Sequence, residues 1–322
     1  MTASGNIARL NTDLLDIRPV AGNIGAEVRN MSLSAELDDN HIQQIENALV
    51  KYKVLFFRKQ SHLTDEAHQA FGARLGKIVA HPTVPAPAGT KLFELDASKG
   101  GGRADSWHTD VTFVDAFPKI SILRGVTIPE YGGDTVWANT VLAYEQLPES
   151  LKQFVGSLRA VHSNNYDYGA ERIVTEEHRL NHHKKVFVSS VWEAEHPVVH
   201  VHPVTGERAL LLGHFVKKIV GFSSRESAQL FELLQNRIIR LENTVRWNWQ
   251  QDDVVIWDNR STQHYAVNDY GDQPRLVRRV TIEGEQAVGI DGSRSRTVAR
   301  PQDAANGSGT ENQDREVNYA AS

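Results

Sequence analysis

The stretch DVVIWDNRSTQHYAVNDYGDQPRLVRRVTIEG, residues 253–284, decides how the chain is read. DVVIWDN (253–259) is an unbroken apolar run of strand length, and LVRRVTI (276–282) has strand composition too. The segment between them is rich in Asn, Asp, Gly and Pro, which punctuate strands. His264 lies just past the first run, in NRSTQHYA. Arg275 and Arg279 mark the second. A planar guanidinium is a natural bidentate clamp for a carboxylate, and arginines four apart on a strand share a face.

Outward from this stretch the pattern repeats. TVRWNW (244–249), VLFFR (54–58), KLFELD (91–96), WHTDVTF (107–113), ISILRGV (120–126) and DTVWANT (134–140) all read as strands. VVHVHPVTGERALLL (198–212) reads as a hairpin turning at Pro203–Gly206, and Leu15–Val28 as two strands around Gly22 and Gly25. Helical patterns are fewer. One covers 35–51, with Ile42, Ile45 and Leu49 on one face. Another covers 65–75 behind Thr64 as N-cap, and a third covers 142–155. A Ser223…Glu226 capping box opens the last, 224–241, with Leu230, Leu233, Leu234 and Ile238 as its stripe. Many short strands with few helices predict a mostly β fold with flanking helices, a jelly roll or barrel.

Composition narrows the chemistry. The chain has 322 residues, 40% hydrophobic and 23% charged, with no cysteine and 14 histidines. A disulfide scaffold, a thiolate metal site and an iron–sulfur cluster are thereby excluded, so any metal must be held by His, Asp and Glu. A net charge of -5 argues against nucleic acid as a partner. No run approaches a membrane span and no signal-like apolar stretch opens the chain, so a soluble, cytoplasmic protein is expected. No GxGxxG, GxSxG or HExxH motif is present. Residues 1–14 are expected to be flexible, 15–290 to form one domain, and the polar segment 291–322 to be a disordered tail.

His108-Thr109-Asp110 puts an imidazole and a carboxylate on one face of a β segment. With His264 they make two histidines and one carboxylate, the facial set that leaves three metal positions open. The HxD alone is weak, since a strand histidine bonded to its neighbour is commoner. The far histidine followed by two arginines raises its specificity.

WHTDVTF, GGDTVWAN and WDNRSTQHYAVNDYGDQPRLVRRVTIEG together closely resemble the taurine/alkylsulfate dioxygenase family of Fe(II)/2-oxoglutarate enzymes, from about Leu15 to Gly289. The resemblance implies a double-stranded β-helix core, a jelly-roll variant. It implies His108, Asp110 and His264 as iron ligands, with 2-oxoglutarate and O₂ as co-substrates. It makes Thr135 and Arg275 the holders of the far carboxylate of 2-oxoglutarate. Arg279 would lie beside the co-substrate and face an anionic substrate group. His81 would contact a sulfonate or sulfate, and Val111, beside Phe113, would line the substrate side. Members are often dimers or tetramers, so a homo-oligomer is implied.

Taurine-specific members carry a Tyr three residues after that His and an Asn four before the first iron ligand. Here these positions are Val84 and Ala104. An ammonium would have no polar partner there. The expectation is therefore a small anionic organosulfur substrate, an alkyl sulfate, with taurine, another sulfonate or an aryloxyalkanoic acid as alternatives. A non-catalytic jelly-roll binding module and a zinc hydrolase built on the same triad are the competing classes. His200 and His202 share a face as well, and are read as part of an ordinary exposed strand.

Overall fold

A computed structural model describes residues 15–97, 104–166 and 191–301. The expected flexible N-terminus, the polar His182-His183 stretch and the tail beyond 301 lie outside them.

β1 (Ile17–Pro19), β2 (Ala26–Val28), β3 (Val54–Phe57), β4 (Ile78–Val79), β5 (Phe93–Asp96) and β6 (Ile120–Thr127) belong to one large sheet, with two strands from the far end of the chain. These are β14 (Val254–Asp258) and β16 (Leu276–Ile282). The order is β1-β2-β3-β14-β6-β16-β4, with β5 also on β16. All pairs are antiparallel except β2 with β3. β14 is apolar on both faces because both are covered. Val254 and Ile256, with Leu55, Phe57, Val280 and Ile282, pack beneath α1 (Asp39–Tyr52) and α2 (Asp65–Leu75). Val255 and Trp257, with Val54, Phe56 and Val277, face the barrel interior. By the same period of two, Ser121 and Arg279 point inward.

The facing wall is built from β7 (Thr135–Asn139), β13 (Thr244–Trp247) and β15 (Thr262–Ala266), in the order β13-β7-β15. Two smaller sheets extend it. One is β12-β8-β9-β18, from β8 (Arg159–Ser163), β9 (Glu193–Pro197), β12 (Val216–Ile219) and β18 (Arg296–Ala299). The other is β11-β10-β17, from β10 (Val199–Val201), β11 (Arg208–Leu210) and β17 (Val288–Gly289). A second core under α3 (Thr140–Glu145), α4 (Glu149–Val155) and α5 (Ser224–Ile238) closes this side. The fold is a jelly roll, as its sequence pattern suggested.

Several expectations need correction. The helix read over 142–155 is two, because Pro148 has no N–H to continue the first and instead caps the second. WHTDVTF is not a strand: His108 forms a single bridge with His264, after which the chain turns at Asp110–Phe113. Arg275 precedes β16, whose pairing is bulged between Leu276 and Val277, so strand alternation does not relate it to Arg279. The segment after Asp291 is not all tail, since β18 pairs with β9 and Ser295 is buried. β15 itself, which carries His264, lacks the apolar run that would mark it as a strand.

Candidate metal centre

His264 lies mid-strand in β15, opposite Trp137 of β7 on one side and His108 on the other. The two histidines exchange backbone hydrogen bonds, so their side chains leave the ladder as neighbours, with ring centroids 4.0 Å apart. His108 Nδ1 lies 2.8 Å from the Ser106 carbonyl. A carbonyl only accepts, so Nδ1 carries the proton and Nε2 is the nitrogen that could ligate a metal.

Asp110 reaches the same point through the turn rather than a pleat. Its Oδ1 lies 3.7 Å from His108 Nε2 and 3.8 Å from His264 Nε2. Its Oδ2 accepts from Ser121 Oγ at 2.7 Å. Asn259 clips its backbone, accepting from Asp110 N at 2.9 Å and donating to Asp110 O at 3.1 Å. The next residue, Val111, adopts a left-handed φ of 59°, an unfavourable conformation for a β-branched side chain that costs on the order of 1–3 kcal/mol.

The three ligand atoms lie within 4.8 Å of one another, all on buried residues, and no comparable group occurs among the described residues. Burial would raise the Asp110 carboxyl. Arg279, His264, His108 and the Ser121 hydroxyl outweigh it and hold the group well below the usual carboxylate range. Burial lowers His108 to about 4 and His264 well below its ordinary value. Two neutral imidazoles beside one carboxylate are the protonation state that a divalent metal needs. The nitrogen and oxygen donor set suits Fe(II).

Arg275 is buried against Gly133, where a Cβ would come within 3.2 Å of Arg275 Nε, and near Asp134. Thr135 follows directly, with its Oγ1 accepting from Trp249 Nε1 at 2.9 Å. Arg275 Nε has no hydrogen-bond partner, and no carboxylate pairs with this guanidinium among the described residues. A buried cation that makes no direct ion pair is costly, so the site fits an incoming carboxylate such as that of 2-oxoglutarate.

Arg279 faces the same interior, where it ion-pairs with Asp110 and packs over Phe93 at 4.7 Å. The ring of His81 stacks on Phe93 as well, also at 4.7 Å. Thr83 N donates to His81 Nδ1 at 3.3 Å, which leaves the ring proton on Nε2. Burial, then Arg279, lowers His81 to about 3, so it acts as a neutral donor rather than a second cation. Val111 joins Phe113 and Phe215 in an apolar cluster with Val84, Val114 and Trp192 packed on it. Phe215 stands 5.9 Å from the His108 ring.

His200 and His202 are buried, not exposed. Their Nε2 atoms meet Arg260 O at 2.7 Å and Asp258 Oδ2 at 2.9 Å, tying the hairpin to the end of β14. Sequence reasoning missed Ser121, Asn259, Phe93, Phe215 and Gly213. Of these only Gly213 carried a local signal, a glycine between two apolar runs.

A jelly roll holding two histidines and one carboxylate at a buried point defines the facial-triad class of metalloprotein. The chain belongs to the taurine catabolism dioxygenase TauD, TfdA family, whose model matches residues 16–281. It is 58% identical over 287 residues to an alpha-ketoglutarate-dependent sulfate ester dioxygenase of Pseudomonas putida, covering 89% of this chain and 95% of that protein. It is 59% identical over 288 residues to an alkylsulfatase of Acinetobacter baylyi, covering 89% and 90%. Among solved structures it resembles a taurine dioxygenase from Burkholderia xenovorans, at 39% identity and a TM-score of 0.74, covering 88% of this chain and 95% of that one.

Proposed function

We propose that this chain is an Fe(II)- and 2-oxoglutarate-dependent dioxygenase acting on alkyl sulfates. It hydroxylates the carbon next to the ester oxygen. The product, RCH(OH)OSO₃⁻, breaks its C–O bond to sulfate and leaves as RCHO and HSO₄⁻. 2-Oxoglutarate is oxidised to succinate and CO₂, with one atom of O₂ entering succinate and the other the substrate. The relatives named above support this reading, and so does one observation: three buried side chains offer metal ligands, and the same interior holds a buried guanidinium that makes no direct ion pair among the described residues.

His108, Asp110 and His264 would hold the iron, which, with 2-oxoglutarate and O₂, supplies the oxidising chemistry. The protein's own work is orientation and exclusion of water. Arg275 and Thr135 fix the far carboxylate of the co-substrate. Arg279 and the Nε2–H of His81 receive the sulfate group. Val84, Val111, Phe113, Val114, Phe215 and Trp192 present an apolar wall to the alkyl chain and offer an ammonium nothing to bond. No helix among the described residues is long and apolar enough to cross a membrane. A cytoplasmic homo-oligomer, dimer or tetramer, belongs to the same reading.

The test is sulfate release from a medium-chain alkyl sulfate, with succinate measured in parallel and taurine as control. Both products should require O₂ and Fe(II) and vanish in His108→Ala. Faster turnover of taurine would overturn the substrate. Release without O₂ would replace the oxygenase with a hydrolase.

A further inference from the structure

The turn that delivers Asp110 is hydrogen-bonded to a histidine that is not one of the three candidate ligands. At Val111 the backbone enters the left-handed region, and Val111 O accepts from Val114 N at 3.2 Å. Thr112, between them, is gripped twice. Its hydroxyl shares a 2.8 Å hydrogen bond with His162 Nδ1, and its carbonyl lies 2.6 Å from His196 Nε2. Both imidazoles are wholly buried, on β8 and β9, with ring centroids 4.9 Å apart.

The chemistry of the His196 ring is fixed at both nitrogens. The Thr112 carbonyl can only accept, so Nε2 must donate. Nδ1 then accepts from Ser295 Oγ, 2.6 Å away. Ser295 is itself anchored, its N donating to Ala287 O at 2.8 Å. A chain of contacts thus runs from the polar C-terminal segment, through one imidazole, to the residue two past the carboxylate ligand. Nothing in the facial triad or the arginine pair calls for a histidine at this place.

We infer that His196, oriented by Ser295, is a positioning residue that holds the Asp110–Phe113 turn, and so sets both the aim of the Asp110 carboxylate and the place of Val111 in the apolar wall. A turn with a strained φ relaxes unless its surroundings over-determine it, and the Thr112 carbonyl is where that restraint is applied. The inference rests on the reading of His108, Asp110 and His264 as metal ligands and is independent of the identity of the substrate.

The experiment is Mn(II) titration by electron paramagnetic resonance on the full chain, with succinate and sulfate then counted in the Fe(II) enzyme. His196→Leu removes both hydrogen bonds. It is expected to weaken Mn(II) roughly ten- to hundred-fold, the range seen when support to a metal ligand is lost. It should also produce succinate in excess of sulfate, because the substrate wall has shifted. His196→Gln keeps an N–H donor at the Nε2 position and should recover most of the affinity. Ser295→Ala leaves the ring and frees its tautomer, and should weaken Mn(II) by a smaller factor. A folded His196→Leu variant with unchanged Mn(II) affinity and product ratio overturns the inference, as does a Gln variant no better than Leu. Should His196→Leu fail to fold, Ser295→Ala decides, and unchanged affinity there overturns it equally. Wild-type protein that binds no Mn(II) overturns the metal-centre reading itself. Tight Mn(II) binding without sulfate release overturns only the substrate.

Discussion

His108 and His264 stand directly opposite each other and exchange both backbone hydrogen bonds, His108 N to His264 O at 3.0 Å and His264 N to His108 O at 2.8 Å. Residues from distant parts of the chain are thereby held at ladder spacing, about 5.5 Å between Cα atoms in such a pair. The imidazoles meet because a β-bridge requires it, not because two loops converge. The metal site is thus as rigid as the sheet that carries it.

That bridge is overlaid by Gly213, whose φ of 112° disfavours any side chain and whose close approach leaves little room for one. A Cβ there would lie 3.0 Å from Trp107 O and 3.1 Å from His108 Cα. Gly213→Ala is expected to lower stability by about 1–3 kcal/mol and to weaken Mn(II) at the same time. Thermal unfolding with and without Mn(II) checks this. An unchanged Tm in both states would remove Gly213 from the account of the site.

Ser121 is placed by strand alternation on β6, where its hydroxyl meets Asp110 Oδ2 at 2.7 Å and turns Oδ1 toward the histidines. Ser121→Ala should weaken metal binding roughly ten- to hundred-fold. Loss of the hydrogen bond should cost stability only about 1–2 kcal/mol. Mn(II) affinity and urea midpoint, measured on the same sample, separate the two effects. Equal affinity in wild type and variant would mean that Oδ2 does not steer the carboxylate.

How much of this was legible in the residues follows from what each element leaves in sequence. β14 announces itself by an apolar run of strand length and β16 by its strand composition, and both survive whatever packs on them. α2 is bounded as expected because Thr64 accepts from Ala67 N, a cap that is local chemistry. The triad was legible as residue types but not as geometry. His108-x-Asp110 suggested a pleat, whereas a bridge followed by a left-handed valine delivers the carboxylate. β15 was not visible, since Thr262–Ala266 is polar and is held by its partners on either side. β18 was hidden in the same way, in a segment whose composition resembles a tail. Ser121 meets Asp110 from 11 residues away and His196 meets Thr112 from 84 residues away, and no local pattern reports either contact.

Arg275 gives a prediction with two signs. Its guanidinium is buried near Asp134 but makes no direct ion pair among the described residues, and burial lowers its pKa. Arg275→Gln should raise KM for 2-oxoglutarate roughly thirty- to 150-fold, the loss of a charge-assisted contact worth about 2–3 kcal/mol. The co-substrate-free protein should keep its Tm or gain a little, because a buried charge with no direct ion-pair partner has gone. A fall in Tm with KM unchanged would make Arg275 a purely structural residue.

Acid should act through buried histidines outside the candidate ligand set. Burial lowers His68 to about 3 and both His196 and His200 to about 4, against an ordinary value of 6.5. The unfolded chain therefore binds protons between those values that the folded chain refuses. Stability is fully present above about pH 6.5 and falls as pH drops toward 4, by on the order of 2 kcal/mol per group at pH 5. Urea midpoints from pH 7.5 to 4.5 test the sign. His68→Gln, at a ring bonded to Ile122 O at 3.2 Å, should flatten the slope by about one proton. A midpoint that rises on acidification would contradict it.

Val84 connects the apolar wall to substrate choice. It packs on the Val111, Phe113 and Phe215 cluster, and the His81 ring lies 6.1 Å from Phe113. Val84→Tyr adds a ring where the alkyl chain would run and a hydroxyl that has no partner among those side chains. Overfilling costs on the order of 1–3 kcal/mol, and here it falls on substrates long enough to reach the wall. KM for a medium-chain alkyl sulfate should therefore rise at least about tenfold, while that for a short-chain ester changes little. KM for 2-oxoglutarate, which the proposed function assigns to Arg275 and Thr135, should stay the same. A series of sulfate esters of increasing chain length reads this directly: the ratio of variant to wild-type KM should climb with length. A ratio that is flat across the series would place the alkyl chain elsewhere and leave Val84 as a packing residue only.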